Sequence, residues 1–123
     1  MGRQYERVHS TTIQVPDDAE GKANRFIGAD GYYADGTSLI KCSRGISIDE
    51  KDQGVINVVT YYSGVIELAE AVDPCDFIKP AADGSGRGAK GSATEHCAQV
   101  ISAKKGGAVG DFIEVIILPH VTP

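Results

Sequence analysis

Residues 111–118 read DFIEVIIL, and this run limits the possible folds more than any other part of the chain. Its β-branched and aromatic residues favour a strand, in which alternate side chains point to opposite faces. Ile113, Val115 and Ile117 then form one face, and the other face is also apolar apart from Glu114. A strand that is apolar on both faces is typical of a barrel or sandwich core, or of a surface beneath a partner subunit. We therefore predict a core strand with Ile113, Val115 and Ile117 buried.

The start of this run repeats an earlier phrase. The segments AVDPCDFIKPA at 71–81 and AVGDFIEVIIL at 108–118 both place Asp-Phe-Ile directly after a turn. An Asp at such a point can accept hydrogen bonds from backbone donors of the turn. We interpret the phrase as a turn followed by a core strand, used twice in one small domain.

The rest of the chain also favours short strands. Glycine accounts for 15 of 123 residues, about twice the usual share, which indicates many tight turns. The dipeptides Asp30-Gly31 and Asp35-Gly36 are strong turn signals. We expect strands at 37–42, at 45–48, within GVINVVTYY (54–62) and at 65–72, with a hairpin turn at Ser63-Gly64. The predicted fold class is all-β, as a small β-barrel or β-sandwich.

The first part of the chain has a different composition. Residues 1–25 are polar, and only Ile13 and Val15 alternate as in a strand. We interpret residues 1–25 as an extended N-terminal arm with one strand at 11–15, and residues 26–123 as the β domain. A disordered terminus without a role is the alternative for this arm.

Composition also bears on partners and location. The net charge of −5 argues against a nucleic-acid partner, because such proteins usually carry a basic stripe. No run approaches 18 apolar residues, so we expect no membrane span. Cys42, Cys75 and Cys97 form an odd set without CxxC spacing, which favours free thiols in a chain made in a reducing cytoplasm.

Two patterns suggest chemistry but lack the context that it needs. GRGAKG at 86–91 has the glycine spacing of a dinucleotide-binding loop, yet Pro80 interrupts the strand before it and Asp111 opens a strand instead of closing one. His96 and Cys97 are neighbours, and in a strand they would face opposite sides, where they cannot pair as base and nucleophile. The three histidines are scattered along the sequence. We therefore expect no catalytic residue, no cofactor and no metal site, and a structural or binding role instead of an enzyme.

The second half of the chain resembles a known family. The segment SGVIELAEAVDPCDFIKPAADGSG, followed after a loop by ATEHCAQVISAKKGGAVGDFIEVIIL, resembles the capsid cement, or head-decoration, proteins of tailed bacteriophages. The family often shows a Gly-Asp followed by two hydrophobic residues and Lys, an Ala-rich stretch with a DG turn, and a closing Gly-Asp strand. The closing pattern matches at residues 110–115. Cys75-Asp76 replaces the inner Gly-Asp, and His96-Cys97 stands where a Gly usually precedes the Ala strand.

This resemblance implies a structural virion protein that binds the outer surface of the capsid and stabilises it. It implies the major capsid protein and further copies of the chain, as a homotrimer, as partners. The arm would reach the capsid or a neighbouring protomer, and Arg and Tyr are enriched in such interfaces. The residues expected to make these contacts are Arg3, Tyr5, Arg7, Ile13 and Arg25. A β-barrel module that binds a ligand or peptide is the alternative function, and a small enzyme is the third.

Overall fold

The structure is a computed structural model that describes residues 10–38, 40–101 and 106–121. All regular elements of these residues are strands, so the predicted all-β class is confirmed. The strands are β1 (Ser10–Gln14), β2 (Phe26–Gly28), β3 (Ser43–Ser47), β4 (Val55–Val59), β5 (Ser63–Glu67), β6 (Phe77–Pro80), β7 (Gly88–Lys90), β8 (His96–Val100) and β9 (Phe112–Val121). Over the described ranges, no helix is long and apolar enough to cross a membrane.

The strands form two antiparallel sheets. Sheet A has the order β1-β4-β3-β2, and sheet B has the order β5-β9-β8-β6-β7. The predicted hairpin at Ser63-Gly64 is wrong, because both residues lie within β5 and β4 belongs to the other sheet. The chain instead turns at Tyr61-Tyr62, where Tyr62 has a left-handed φ of 66°. This turn carries the chain from sheet A to sheet B.

The main core lies between the two sheets. Phe26 and Ile46 of sheet A pack in one buried cluster with Ile66 and Val115 of sheet B. Val115 has no exposed surface, and Ile113 and Ile117 are partly buried against the same cluster. The long strand β9 therefore supplies core residues from an interior position of its sheet, between β5 and β8.

Sheet A is covered on its second face as well. Ile27 follows Phe26 in β2 and so points to the opposite face, where it packs with Ile56 and Val58 of β4. Val15 and Ala19 of the loop after β1 are buried in this second cluster, and Tyr32 and Tyr33 pack against it. The order of layers is therefore loops, sheet A, main core and sheet B.

Residues 10–25, which the sequence assigned to the arm, contact the rest of the chain. Strand β1 pairs with β4 along its whole length, from Ser10 opposite Val59 to Gln14 opposite Val55. Val15, Ala19 and Arg25 are buried. The strand predicted at 11–15 is present as β1, but its own sequence could not show that it pairs with β4. The preceding part of the predicted arm lies outside the described residues.

The segment before β3 is a loop, and the predicted strand at 37–42 is wrong. Asp35 Oδ1 accepts hydrogen bonds from the backbone N–H and the hydroxyl of Thr37, at 3.0 and 2.6 Å. The N–H of Lys41 donates to the carbonyl of Ser38, at 3.0 Å. These short-range bonds hold the backbone in turns, so the strand begins only at Ser43.

The repeated phrase has the same structure in both places. Asp76 Oδ2 accepts the N–H of Asp73 at 2.8 Å, and Asp111 Oδ2 accepts the N–H of Ala108 at 2.9 Å. Strands β6 and β9 each begin at the next residue, a phenylalanine. The aspartate closes its turn by satisfying a backbone donor three residues earlier, which explains why the phrase occurs twice.

Candidate functional site

The outer face of sheet B is the most apolar exposed surface among the described residues. Ile66, Val100 and Val115 point into the main core, so the residues beside them in sequence point away from it. The side chains that face outward in this way and remain 40–57% exposed are Val65, Ile101, Phe112 and Ile116. We call these four residues the outer face.

The outer face spans β5, β9 and the end of β8, and polar side chains lie between its apolar ones. Ile116 of β9 lies opposite Gln99 of β8 and Ser63 of β5, while Val65 lies opposite Glu114. Glu114 is the single charge among the apolar side chains of β9. Exposed apolar side chains set among polar ones are typical of a protein-binding surface. The sequence had already identified Phe112 and Ile116 as a second apolar face, but Val65 and Ile101 became part of it only through strand pairing.

The structure does not gather the five predicted contact residues on one surface. Arg3, Tyr5 and Arg7 lie outside the described residues. Ile13 is in β1, partly buried against the second cluster of sheet A. Arg25 is buried and bonded within the chain, and its contact with a partner stays a prediction.

Arg25 is instead the centre of an internal ion pair between the sheets. Its Nη2 lies 3.2 Å from Glu67 Oε1, and its Nη1 donates to the carbonyl of Ser85 at 2.8 Å. Arg87 approaches the other oxygen of Glu67 at 3.5 Å. The Arg25 guanidinium also lies 5.5 Å from the centre of the Tyr33 ring. This network ties the start of β2 to the end of β5 and to the β6–β7 hairpin.

A small cavity lies over the second face of sheet A, and we call it the tyrosine pocket. It has a volume of about 170 Å³. Its lining residues come from the loop after β1, the loop between β2 and β3, and the tip of the β6–β7 hairpin. They are Ala19, Glu20, Gly21, Gly31, Tyr32, Tyr33, Asp35, Lys41 and Gly84.

Hydrogen bonds fix the two tyrosines of this pocket. The Tyr32 hydroxyl donates to Asp18 at 2.6 Å, and the Tyr33 hydroxyl donates to Glu20 at 2.9 Å. The backbone N–H of Lys22 donates to the Tyr33 hydroxyl at 2.9 Å. Burial raises the pKa of Tyr33 to about 12, so the hydroxyl keeps its proton at neutral pH. Sequence reasoning missed this site, although the adjacent tyrosines between two Asp-Gly turns were a signal for it.

Charged groups complete the pocket wall. Lys41 Nζ lies 2.9 Å from Asp30 and 5.0 Å from the centre of the Tyr32 ring. The hydrogen bond from the Thr37 hydroxyl lowers the pKa of Asp35, and the bond from Tyr33 lowers that of Glu20. Both carboxylates are therefore ionised at neutral pH. The wall thus combines two aromatic rings, two carboxylates and one ammonium group.

The patterns that suggested chemistry have structural roles. Cys97 is buried in the main core, where burial raises the pKa of its thiol far above the ordinary value. His96 stacks on Phe77 with a ring separation of 4.4 Å, so the two neighbours do face different surroundings. Gly86 accepts the N–H of Phe26, and Gly88 lies against Ile78 in the core. The glycines of GRGAKG thus serve close packing of a hairpin.

The remaining candidate groups are the cysteines and the possible metal ligands. Cys42, Cys75 and Cys97 are not joined by a disulfide. Across residues 10–38, 40–101 and 106–121, no three His, Cys, Asp or Glu side chains are placed to hold a metal ion. The outer face and the tyrosine pocket are two candidate surfaces for function among the described residues.

Comparison with known proteins gives a likeness in fold. No protein-family model matches the chain, and no curated protein matches it. Its fold is similar to the solved structure of the head fiber gp8.5 N base in bacteriophage phi29, with a TM-score of 0.64. The match covers 93% of this chain and 97% of that one, at 12% sequence identity. The two chains therefore share a fold along nearly their whole length.

Proposed function

We propose that the chain is a structural protein of a bacteriophage virion that binds the outer surface of the capsid and stabilises it. The observation that carries the proposal is the shared fold with a phage head fiber base, over 93% of the chain. The cement-protein pattern in residues 63–118 supports the same role from sequence. The role is structural and not catalytic. This agrees with the positions of His96, which stacks on Phe77, and Cys97, which is buried in the main core.

The outer face is the surface that we assign to the major capsid protein. Phe112 and Ile116 stand on the longest strand of the domain, which is hydrogen-bonded on both sides and so presents them rigidly. Aromatic and aliphatic anchors on a rigid support contribute most of the energy of many interfaces. Residues 1–9, with Arg3, Tyr5 and Arg7, add contacts to the same partner.

The chain acts as a homotrimer in this proposal. Three copies joined together contact several capsid subunits at once, and linked contacts raise the overall affinity well above that of one contact. Such a trimer resists separation of capsid subunits because all its contacts must break together. Sedimentation equilibrium of the purified chain should give three times the monomer mass, and a monomer at all concentrations would contradict this part of the proposal.

Co-sedimentation with phage heads tests capsid binding. Heads that lack the chain are mixed with the purified full-length protein, and the bound fraction is measured against concentration. We expect saturable binding. The double variant Phe112→Ser/Ile116→Ser should bind at least about tenfold more weakly, because it removes two apolar anchors.

Ile48→Ser is the matched control, since Ile48 is also an exposed isoleucine but lies beyond the end of β3 in sheet A. It should bind heads like the unmodified chain. Deletion of residues 1–9 should weaken binding most at low salt and by less as salt is raised, because salt screens the exposed ion pairs that the full chain would form. Absence of saturable binding by the full chain would refute the capsid role, whereas equal binding by the double variant would refute only the assignment of the outer face.

A further inference from the structure

We propose that the tyrosine pocket is a binding site for a saccharide and that it holds a single sugar ring. The pocket lies on the far side of sheet A, while the outer face lies on the far side of sheet B. The two sites are therefore on opposite sides of the domain. A sugar can bind whether or not the outer face is occupied, so this inference does not depend on the proposed capsid role.

The size of the pocket limits the ligand. Cavities that enclose drug-sized molecules measure about 300–1,000 Å³. The tyrosine pocket measures about 170 Å³. It is too small for a nucleotide or for several residues of a peptide, and its volume suits one six-membered ring with its hydroxyl groups.

The chemistry of the wall favours a neutral molecule with many hydroxyls. Asp35 Oδ1 is occupied by Thr37, but no hydrogen bond from the described part of the chain reaches its Oδ2. Glu20 is about half exposed and can accept further hydrogen bonds. Lys41 has three N–H donors and uses one of them on Asp30. Adjacent acceptors and donors of this kind match the alternating hydroxyls of a sugar.

The tyrosine rings supply the apolar part of the site. Sugars pair their C–H faces with aromatic rings, and an aromatic side chain combines a large apolar surface with a polar group at its edge. Tyr32 and Tyr33 are both held by their hydroxyls, so their rings are positioned before a ligand arrives. A site whose groups are already ordered loses less entropy on binding.

The same wall disfavours other ligands. Glu20 and Asp35 repel anions, and Lys41 is already neutralised by Asp30, so phosphate or a free carboxylate would meet net negative charge. A purely apolar ligand would remove water from the ammonium group and both carboxylates without giving them new hydrogen-bond partners. A polyhydroxylated neutral ring satisfies the polar groups and covers the aromatic ones.

Saturation-transfer NMR on the full-length chain tests the proposal. The probes are the methyl glycosides of glucose, galactose, mannose and N-acetylglucosamine, each at about 10 mM because single-sugar sites commonly bind near the millimolar range. We expect transfer to at least one of the four. Asp35→Asn should weaken that binding by about tenfold, because a hydroxyl bonds more weakly to an amide oxygen than to a carboxylate.

Glu114→Gln is the matched control, since it removes one carboxylate from an exposed position on the other side of the domain. It should bind the sugar like the unmodified chain. If Asp35→Asn does not melt cooperatively, Tyr32→Ala replaces it, with Tyr32→Phe as a partner that keeps the ring. Amide chemical shifts provide a second measurement, in which Gly31 and Gly84 should move on titration with the bound glycoside. No transfer to any of the four glycosides, or transfer unchanged by Asp35→Asn and Tyr32→Ala, overturns the proposal.

Discussion

Cys75 and Gly110 hold equivalent positions in the two turns of the repeated phrase, each directly before the aspartate, and both have a left-handed backbone. Their φ angles are 65° and 86°. Glycine adopts this conformation without steric cost, whereas a residue with a Cβ is strained in it. The second turn therefore uses the residue that suits its geometry, and the first turn carries strain at Cys75.

Replacement of Cys75 by glycine should stabilise the domain. We expect the free energy of unfolding to rise by about 1 kcal/mol, because the strain of the left-handed conformation disappears. Urea denaturation followed by circular dichroism measures the change. The reciprocal variant Gly110→Ala should lower the stability by a similar amount, since nothing within 4 Å blocks its added Cβ and only the backbone opposes it. A Cys75→Gly variant that is less stable than the original chain would contradict this interpretation.

The carboxylate of Asp111 should stabilise the turn through its hydrogen bond and not through its charge. Asp111→Ala removes the acceptor of the Ala108 N–H and should cost about 1 kcal/mol of stability. Asp111→Asn keeps an oxygen at the same place and should cost less than half as much. Thermal unfolding of the two variants under identical conditions compares them, and equal losses would show that the hydrogen bond is not the reason for the aspartate.

The ion pair between the sheets should be sensitive to loss of its acid. Glu67→Ala removes the carboxylate nearest to the buried Arg25 guanidinium, which keeps its hydrogen bond to the Ser85 carbonyl. The Nε of Arg25 already lacks a hydrogen-bond partner among the described residues. We expect a loss of about 3 kcal/mol, as for other buried pairs broken on one side. The exposed Glu114→Ala serves as control and should change stability by less than about 0.5 kcal/mol. Chemical denaturation distinguishes the two, and equal effects would refute the internal role of Glu67.

His120 should make the stability of the domain depend on pH. Its Nδ1 accepts the backbone N–H of Ser43 at 2.6 Å, which requires the neutral ring, and burial lowers its pKa. Glu95 opposes this shift and His96 adds to it. The unfolded chain therefore takes up a proton at a higher pH than the folded chain, so stability is present above about pH 6.5 and falls as pH decreases through and below that value.

The measurement compares urea midpoints at pH 7.5 and pH 5 for the original chain and for His120→Gln. The glutamine variant does not titrate at this position, so its midpoint should fall by a smaller amount between the two pH values. The acidic groups contribute equally to both proteins and cancel in the comparison. An identical fall in both would show that His120 is not the group that titrates.

Val115 should not tolerate a charge. Its side chain has no exposed surface and lies in the middle of the main core, so Val115→Asp buries a carboxylate without a partner. The cost is comparable to the whole stability of about 5–15 kcal/mol that small domains possess. We expect an insoluble or unfolded protein, judged by circular dichroism, while Val109→Asp at an exposed valine should fold normally. A cooperatively folded Val115→Asp protein would place β9 outside the core.

The sequence predicted best those features that depend on neighbouring residues. The turn before Phe77 and the turn before Phe112 are set by an aspartate and the residue before it, and both were predicted. The alternation in β9 likewise identified Val115 as a core residue before any contact was known. The all-β class followed from the same local signals, because turn residues and β-branched runs act over only a few positions.

Features that depend on distant pairing were predicted poorly. The strand at 11–15 was predicted, but its pairing with β4 in sheet A was not, because the partner lies more than 40 positions away. The move from sheet A to sheet B at Tyr62 resembles a hairpin in sequence, since either connection needs a short turn between two strands. Arg25 was predicted to contact a partner protein. Its ion pair with Glu67 could not be foreseen, because the two residues lie 42 positions apart in the sequence. The tyrosine pocket was missed for the same reason, as its wall comes from three separate loops.

The place of β9 in sheet B determines when the domain can form during synthesis. Strands β5 and β8 have no direct pairing and are joined only by β9, which the ribosome makes after both of them. Until residues 112–121 have emerged, β5 lacks its partner in the sheet and the main core lacks Val115. Such distant pairings slow folding, because the chain must close long loops before it gains their contacts. Sheet B therefore stays incomplete until β9 has emerged, whereas all four strands of sheet A are made earlier.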